Sequence, residues 1–111
     1  MARTNIESVE LTTSLVTKYT VASNVQASLI EFWFCNSDTG NRVVTVHFVP
    51  SGDTATDANR VLEMQSGCAL RAGELFGIEW AVNLGTGDFI QIKADAAGVV
   101  ACYGGILEEA L

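Results

Sequence analysis

The chain has one histidine and six basic residues among 111, and each shortage removes a class of function. Ser–His–Asp and Cys–His catalysis both need an imidazole. The only one is His47, inside a strand-like stretch with no nucleophile signature nearby. Zinc and iron sites usually gather several His or Cys, and one His with three scattered Cys does not supply them. Binding to phosphates needs clustered Lys and Arg to displace counterions. Here Arg3, Lys18, Arg42, Arg60, Arg71 and Lys93 form no run, and the net charge is −7. Nucleic acid is not an expected partner.

Long apolar runs are missing too, so no segment is expected to span a bilayer. The stretch from Met1 to Thr20 is polar and lacks the apolar core of a secretory signal. Cys35, Cys68 and Cys102 are odd in number and widely spaced, which fits neither a disulfide framework nor a metal knuckle. They are expected to be reduced and mostly buried. Charged side chains make up 17% of the sequence, against roughly 25% in an average soluble domain. A thin charge layer on a small domain implies that part of its surface is covered by another protein.

Glycine is plentiful, ten residues in all, and turn-forming clusters recur at 37–41, 51–53, 71–74, 83–88 and 95–98. Between them lie short segments rich in Val, Ile, Phe, Trp and Thr, which is strand composition. The spacing predicts strands at 7–12, 15–22, 26–36, 42–50, 59–65, 68–71, 75–82, 88–94 and 99–107. The expected fold is all-β: a single-domain antiparallel β-sandwich or jelly-roll-like barrel of about eight to nine short strands. Residues 1–7 and 108–111 lack evident partners, and read as frayed ends or as an N-terminal arm and a C-terminal tail reaching a neighbour.

The clearest expected hairpin joins Ala27–Asn36 to Arg42–Pro50. Alternation puts Ile30, Phe32 and Phe34, with Val44, Val46 and Phe48, on the core side. The opposite side then carries Leu29, Trp33, Val43 and Val49, which is too apolar for open water. Either a second layer of the same sandwich, or a loop, covers it, or another subunit does. With Leu111 in the tail, these four are the candidate interface residues. In a further strand Phe76, Ile78, Trp80 and Val82 face inward, followed by Ile90, Ile92 and Ala94.

Remaining patterns are weak. Glu31 and Glu79 sit beside aromatic residues, but alternation turns them outward, where carboxylates serve solubility or pair with an Arg. A small hydrolase would need Glu31 with Glu79, or Cys68 with His47, to converge in a cleft. The 53–57 loop holds two Asp, too few for a calcium loop. Gly85–Thr86–Gly87 lacks the third glycine of a dinucleotide fingerprint and reads as a turn. No catalytic, metal or cofactor site is expected, and the chain is not expected to be an enzyme.

The order of elements is similar to that of a known group. It runs Lys18-Tyr19-Thr20-Val21-Ala22, Phe34-Cys35-Asn36, Val44-Thr45-Val46-His47-Phe48-Val49-Pro50-Ser51-Gly52, Asn59-Arg60-Val61-Leu62, Arg71-Ala72-Gly73-Glu74 and Gly87-Asp88-Phe89-Ile90-Gln91-Ile92. It resembles the small β-structured virion proteins of tailed bacteriophages, and among them the capsid-decorating, or stapling, proteins of epsilon-fifteen-like podoviruses. The resemblance covers the chain from about Val16 onward. It implies a structural subunit, made in the host cytoplasm and pairing as a homodimer. Such a subunit binds the outer surface of an assembled shell of major capsid protein and stabilises it. The alternative is a phage tail, neck or fibre component, for instance a carbohydrate-binding receptor-recognition module.

Overall fold

The computed structural model describes residues 2–64 and 69–111, with the side chains of residues 7–9, 80 and 81 outside that description. The short β-branched and aromatic segments form eight strands: β1 (Ala2–Glu10), β2 (Val16–Thr20), β3 (Val25–Asn36), β4 (Val44–Val49), β5 (Arg60–Glu63), β6 (Leu75–Leu84), β7 (Phe89–Ala94) and β8 (Val100–Ala110). A single 3-10 turn, Asp57–Asn59, precedes β5. The strands make two four-stranded sheets, ordered β1-β8-β3-β6 (sheet I) and β2-β7-β4-β5 (sheet II). Every pairing is antiparallel. Except between β4 and β5, each connection carries the chain from one sheet to the other. This is the eight-stranded jelly roll, in line with the all-β sandwich expected from the sequence. Among the described residues no helix is long and apolar enough to cross a membrane.

The expected hairpin between Ala27–Asn36 and Arg42–Pro50 does not form. Those segments are β3 and β4, which belong to opposite sheets. A polar corner turns the chain between them. The fully buried Asn36 side chain donates through Nδ2 to the carbonyls of Gly40, Leu70 and Arg71 at 2.9–3.1 Å. Its Oδ1 accepts from the Asp38 amide at 2.9 Å. Asp38 in turn accepts from Arg42 Nε at 2.7 Å, and the Arg42 guanidinium beside it holds its carboxyl below the usual range. Alternation marks a strand's buried side but cannot tell a partner in the same sheet from one across the core.

The inner faces of the two sheets meet in one core. Sheet I contributes Ile6, Leu29, Phe32, Phe34, Cys102 and Ile106, and sheet II contributes Val44, Val46, Ile90 and Ile92, all 0–1% exposed. Phe32 and Phe34 stack at 5.6 Å within it. Phe76 and Val82 pack against this core as expected, whereas the Trp80 side chain lies outside the described residues. In β3 the register shifts between Leu29 and Glu31 against both neighbours. Such a bulge changes which side faces inward. Leu29 therefore joins Phe32 and Phe34 inside, and Ile30 is only half-buried. The outward placement of Leu29 is thus corrected.

Val49 is corrected as well, at 1% exposure. It lies on the outer side of β4 with Thr45 and His47, all three buried. The 50–59 segment is tied back on that side by His47 Nδ1 to Asn59 Oδ1 at 2.8 Å and by the Ser51 amide donating to Asp88 at 2.9 Å. Cover from within the chain, not from another subunit, explains this part of the apolar pattern. The termini are not frayed. Residues 2–10 form an edge strand paired with β8 from Ala2↔Glu108 to Glu10↔Ala101, with one register shift between Ile6 and Val9, and the Leu111 amide donates to Asn24 at 2.9 Å. Backbone pairing, which hydrophobic patterning does not report, recruits both ends.

Candidate protein-docking face

Cross-strand rows define the outer face of sheet I. Tyr103, Trp33 and Gly77 are neighbours on β8, β3 and β6, and Ala101, Cys35 and Leu75 form the next row. The Trp33 and Tyr103 rings stack 6.3 Å apart at 15°. A side chain on Gly77 would begin 2.2 Å from the Trp33 ring, so the indole lies flat over this glycine and reaches the edge of the sheet. Leu75 is 57% exposed and Tyr103 44%, and Cys35 is exposed beside them. The result is one apolar strip of Leu75, Cys35, Trp33 and Tyr103. Large exposed apolar groups that cluster, unlike single ones, mark a contact surface.

Carboxylates border the strip. Glu31 and Glu79 are directly opposite each other in register. Like charges so placed repel, and Arg3 offsets one of them by contacting Glu31 at 2.8 Å. It reaches across β8 over Gly105, where a Cβ would sit 2.7 Å from the guanidinium. These two carboxylates are adjacent but stand on an open face, not in a cleft.

The outer face of sheet II is different in kind. It presents Thr17, Gln91, Lys93, Glu63 and Arg60 around the buried Thr45 and His47. Gln91 donates to Thr17 at 3.2 Å, and Arg60 pairs with Asp57 at 2.9 Å and Glu63 at 3.3 Å. Hollows flank the sandwich. One, of about 360 Å³, lies where β5 and β6 leave the two sheets open to each other, and is lined by Leu62, Met64, Leu70 and Phe76 with Glu63 and Glu74. Another, of about 280 Å³, is lined by Thr45, Lys93 and Asp95 and includes the half-buried Val43.

Of the residues singled out in the sequence, Trp33 lies half-buried on the strip. Leu111, 76% exposed, stands apart at the chain's end. Tyr103 and Leu75 were missed, although each follows from alternation in its strand once β8 and β6 flank β3. Cys35 is exposed rather than buried; Cys68 lies outside the described residues. Cys102 is in the core, and burial pushes its thiol up to about 11. Tyr19 bridges the sheets, donating to Glu108 at 2.6 Å, and burial, then this bond, raises its phenol above the ordinary range. His47 contacts Asn59 rather than a nucleophile. Among the described residues no cluster of three or more His, Cys, Asp or Glu is placed to hold a metal.

No protein-family model and no curated protein matches the chain. Among solved structures, it is similar to a chain from Bacillus endospore appendages, described as a novel family of disulfide-linked pili. The TM-score is 0.56 with 17% identity, over 99% of this chain and 88% of that one. That likeness shows the fold alone. A chain from infectious bursal disease virus, Gt strain, matches at a TM-score of 0.34 and 12% identity, over 96% of this chain and 32% of that one. A score that low carries no argument.

Proposed function

We propose that the chain is a structural subunit that works by packing the outer face of sheet I onto another protein, as a stapling protein on the outside of an assembled phage capsid. The observation that carries the docking role is the apolar strip of the exposed Leu75, Cys35 and Tyr103 with the half-buried Trp33, on a sheet whose other side is already buried. The capsid partner comes from the resemblance in the sequence. The acidic net charge of −7 fits the outside of a nucleic-acid-filled shell better than its inside. Catalysis has no part in this reading.

The mechanism is mechanical. A protein that binds only the assembled shell stabilises that state over free subunits by mass action, and many modest contacts on a closed lattice add up. Co-sedimentation with empty phage shells, alongside light scattering of the free protein, tests it. Saturable binding to shells but not to unassembled coat protein is expected, with a dimer in free solution. A monomer that ignores shells contradicts the proposal.

One observation keeps a second reading. Stacked Trp33 and Tyr103 beside Glu31 and Glu79 form a flat platform on which a sugar ring can stack and hydrogen-bond, as in a receptor-recognition module of a tail or fibre. Glycan-array binding that is lost in Trp33→Ala, without shell binding, would favour it.

A further inference from the structure

Sheet edges expose unpaired N–H and C=O groups, which natural folds blunt with short strands, prolines, lysines or bulges. The outer strands of sheet II are short, five residues in β2 and four in β5. In sheet I, β6 is ten residues long and contains neither Pro nor Lys. Its first half, Leu75 to Glu79, runs in unbroken register with β3, and among the described residues no strand pairs with its other side, which is a regular template for one more strand.

Both sides of that edge favour the same visitor. Inward lies the apolar hollow of about 360 Å³ lined by Leu62, Met64, Leu70 and Phe76. Outward stand the exposed Leu75 and the Trp33 ring over Gly77. Two positions along is Glu79, opposite Glu31. Arg3 meets the charge of Glu31, while among the described residues no side-chain hydrogen bond or ion pair reaches the Glu79 carboxylate. Glu74 adds negative charge at the mouth of the hollow, where Glu63 is paired with Arg60.

We propose that β6 accepts an extended strand from another polypeptide, antiparallel to it. Apolar side chains of that strand enter the hollow and face Leu75, and a lysine or arginine stands opposite Glu79. Main-chain hydrogen bonds supply affinity in such strand addition, and alternate side chains supply specificity. The inference rests on reading this face as a protein-docking surface, and it names the chemistry of the partner. A second copy of this chain fits poorly. Its net charge is −7, and Arg3, Arg42 and Arg60 already hold carboxylates.

The test uses the whole isotope-labelled protein and two capped synthetic peptides. One carries a lysine at the position opposite Glu79 and isoleucine, valine and leucine at the inward and Leu75-facing positions; the other has glutamate in place of the lysine. The lysine peptide is expected to slow exchange of alternate amides between Leu75 and Glu79. The glutamate peptide should bind about fivefold more weakly or worse, as a cross-strand charge pair predicts. Glu79→Lys, an exposed change, should invert the preference. Equal binding of both peptides, protection at another edge, or protection of β6 that rises with protein concentration alone would overturn the proposal. If shells are bound through Trp33 yet neither peptide protects β6, strand addition falls and the docking face stands. If neither shells nor peptides bind, both fall.

Discussion

The two sheets share one core but differ on the faces they turn away from it. Sheet II ties a loop back over His47 and sets Lys93, Gln91 and Arg60 around His47 and Thr45, so the outer side of β4 is covered within the chain, and the exposed Val16 and Val61 lie on its two edge strands. Sheet I leaves Tyr103, the Cys35 thiol and Leu75 uncovered, with Trp33 half-buried among them. Apolar content is therefore not a sign of docking by itself. What matters is whether the chain supplies its own cover, and it does so fully for Val49 and only in part for Trp33.

The contrast can be broken most severely at Gly77. Gly77→Val would drive a side chain into the Trp33 ring. It should cost about 1–3 kcal/mol of stability by overpacking, visible in chemical denaturation, and should also reduce shell binding by displacing the indole. Trp33→Ala should have a smaller effect on folding, because the ring is partly solvated, yet lower shell affinity by roughly tenfold or more, as for an interface anchor. His47→Ala should do the reverse. Loss of its bond to Asn59 costs about 1 kcal/mol in a thermal melt, with shell affinity unchanged.

The thiols sharpen the same contrast within one sheet. Peptide mapping after brief alkylation at neutral pH should find Cys35 modified and Cys102 protected until the protein unfolds. The thiol of Cys102 is raised by burial from 9.0 to about 11. Its contribution to stability is therefore complete below about pH 9 and is lost as pH rises through about 11. Cys102→Ala should flatten that alkaline loss in a denaturation series. The smallest effect belongs to Arg3→Ala, which removes a solvent-exposed ion pair worth about 1 kcal/mol or less.

Much of the fold was legible because alternation and turn residues act locally. The strands from β2 to β8 were found within a few residues, and so were the inward sets Phe76 with Val82 and Ile90 with Ile92; the strand expected at 68–71 is only a bridge of Leu70 to Arg42, with residue 68 outside the described residues. Pairing was not legible, because Phe34 and Val46 show the same period whether they are neighbours in a sheet or meet across a core. The bulge at Ile30 has no sequence mark, yet it brings Leu29 inside. Only the end of β1 was legible, in the strand expected at 7–12; its first residues read as an arm because they are polar and their place is set by main-chain bonds to β8. Of the docking face, Trp33 was legible, while Tyr103 and Leu75 needed the strand order to become its neighbours.

The most direct measurement is shell co-sedimentation with one charge-changing substitution on each outer face, Tyr103→Glu on sheet I and Lys93→Glu on sheet II, each first shown to be folded by circular dichroism. The account predicts that Tyr103→Glu abolishes binding and that Lys93→Glu leaves it intact. Loss of binding only in Lys93→Glu, or full binding by both, would contradict it.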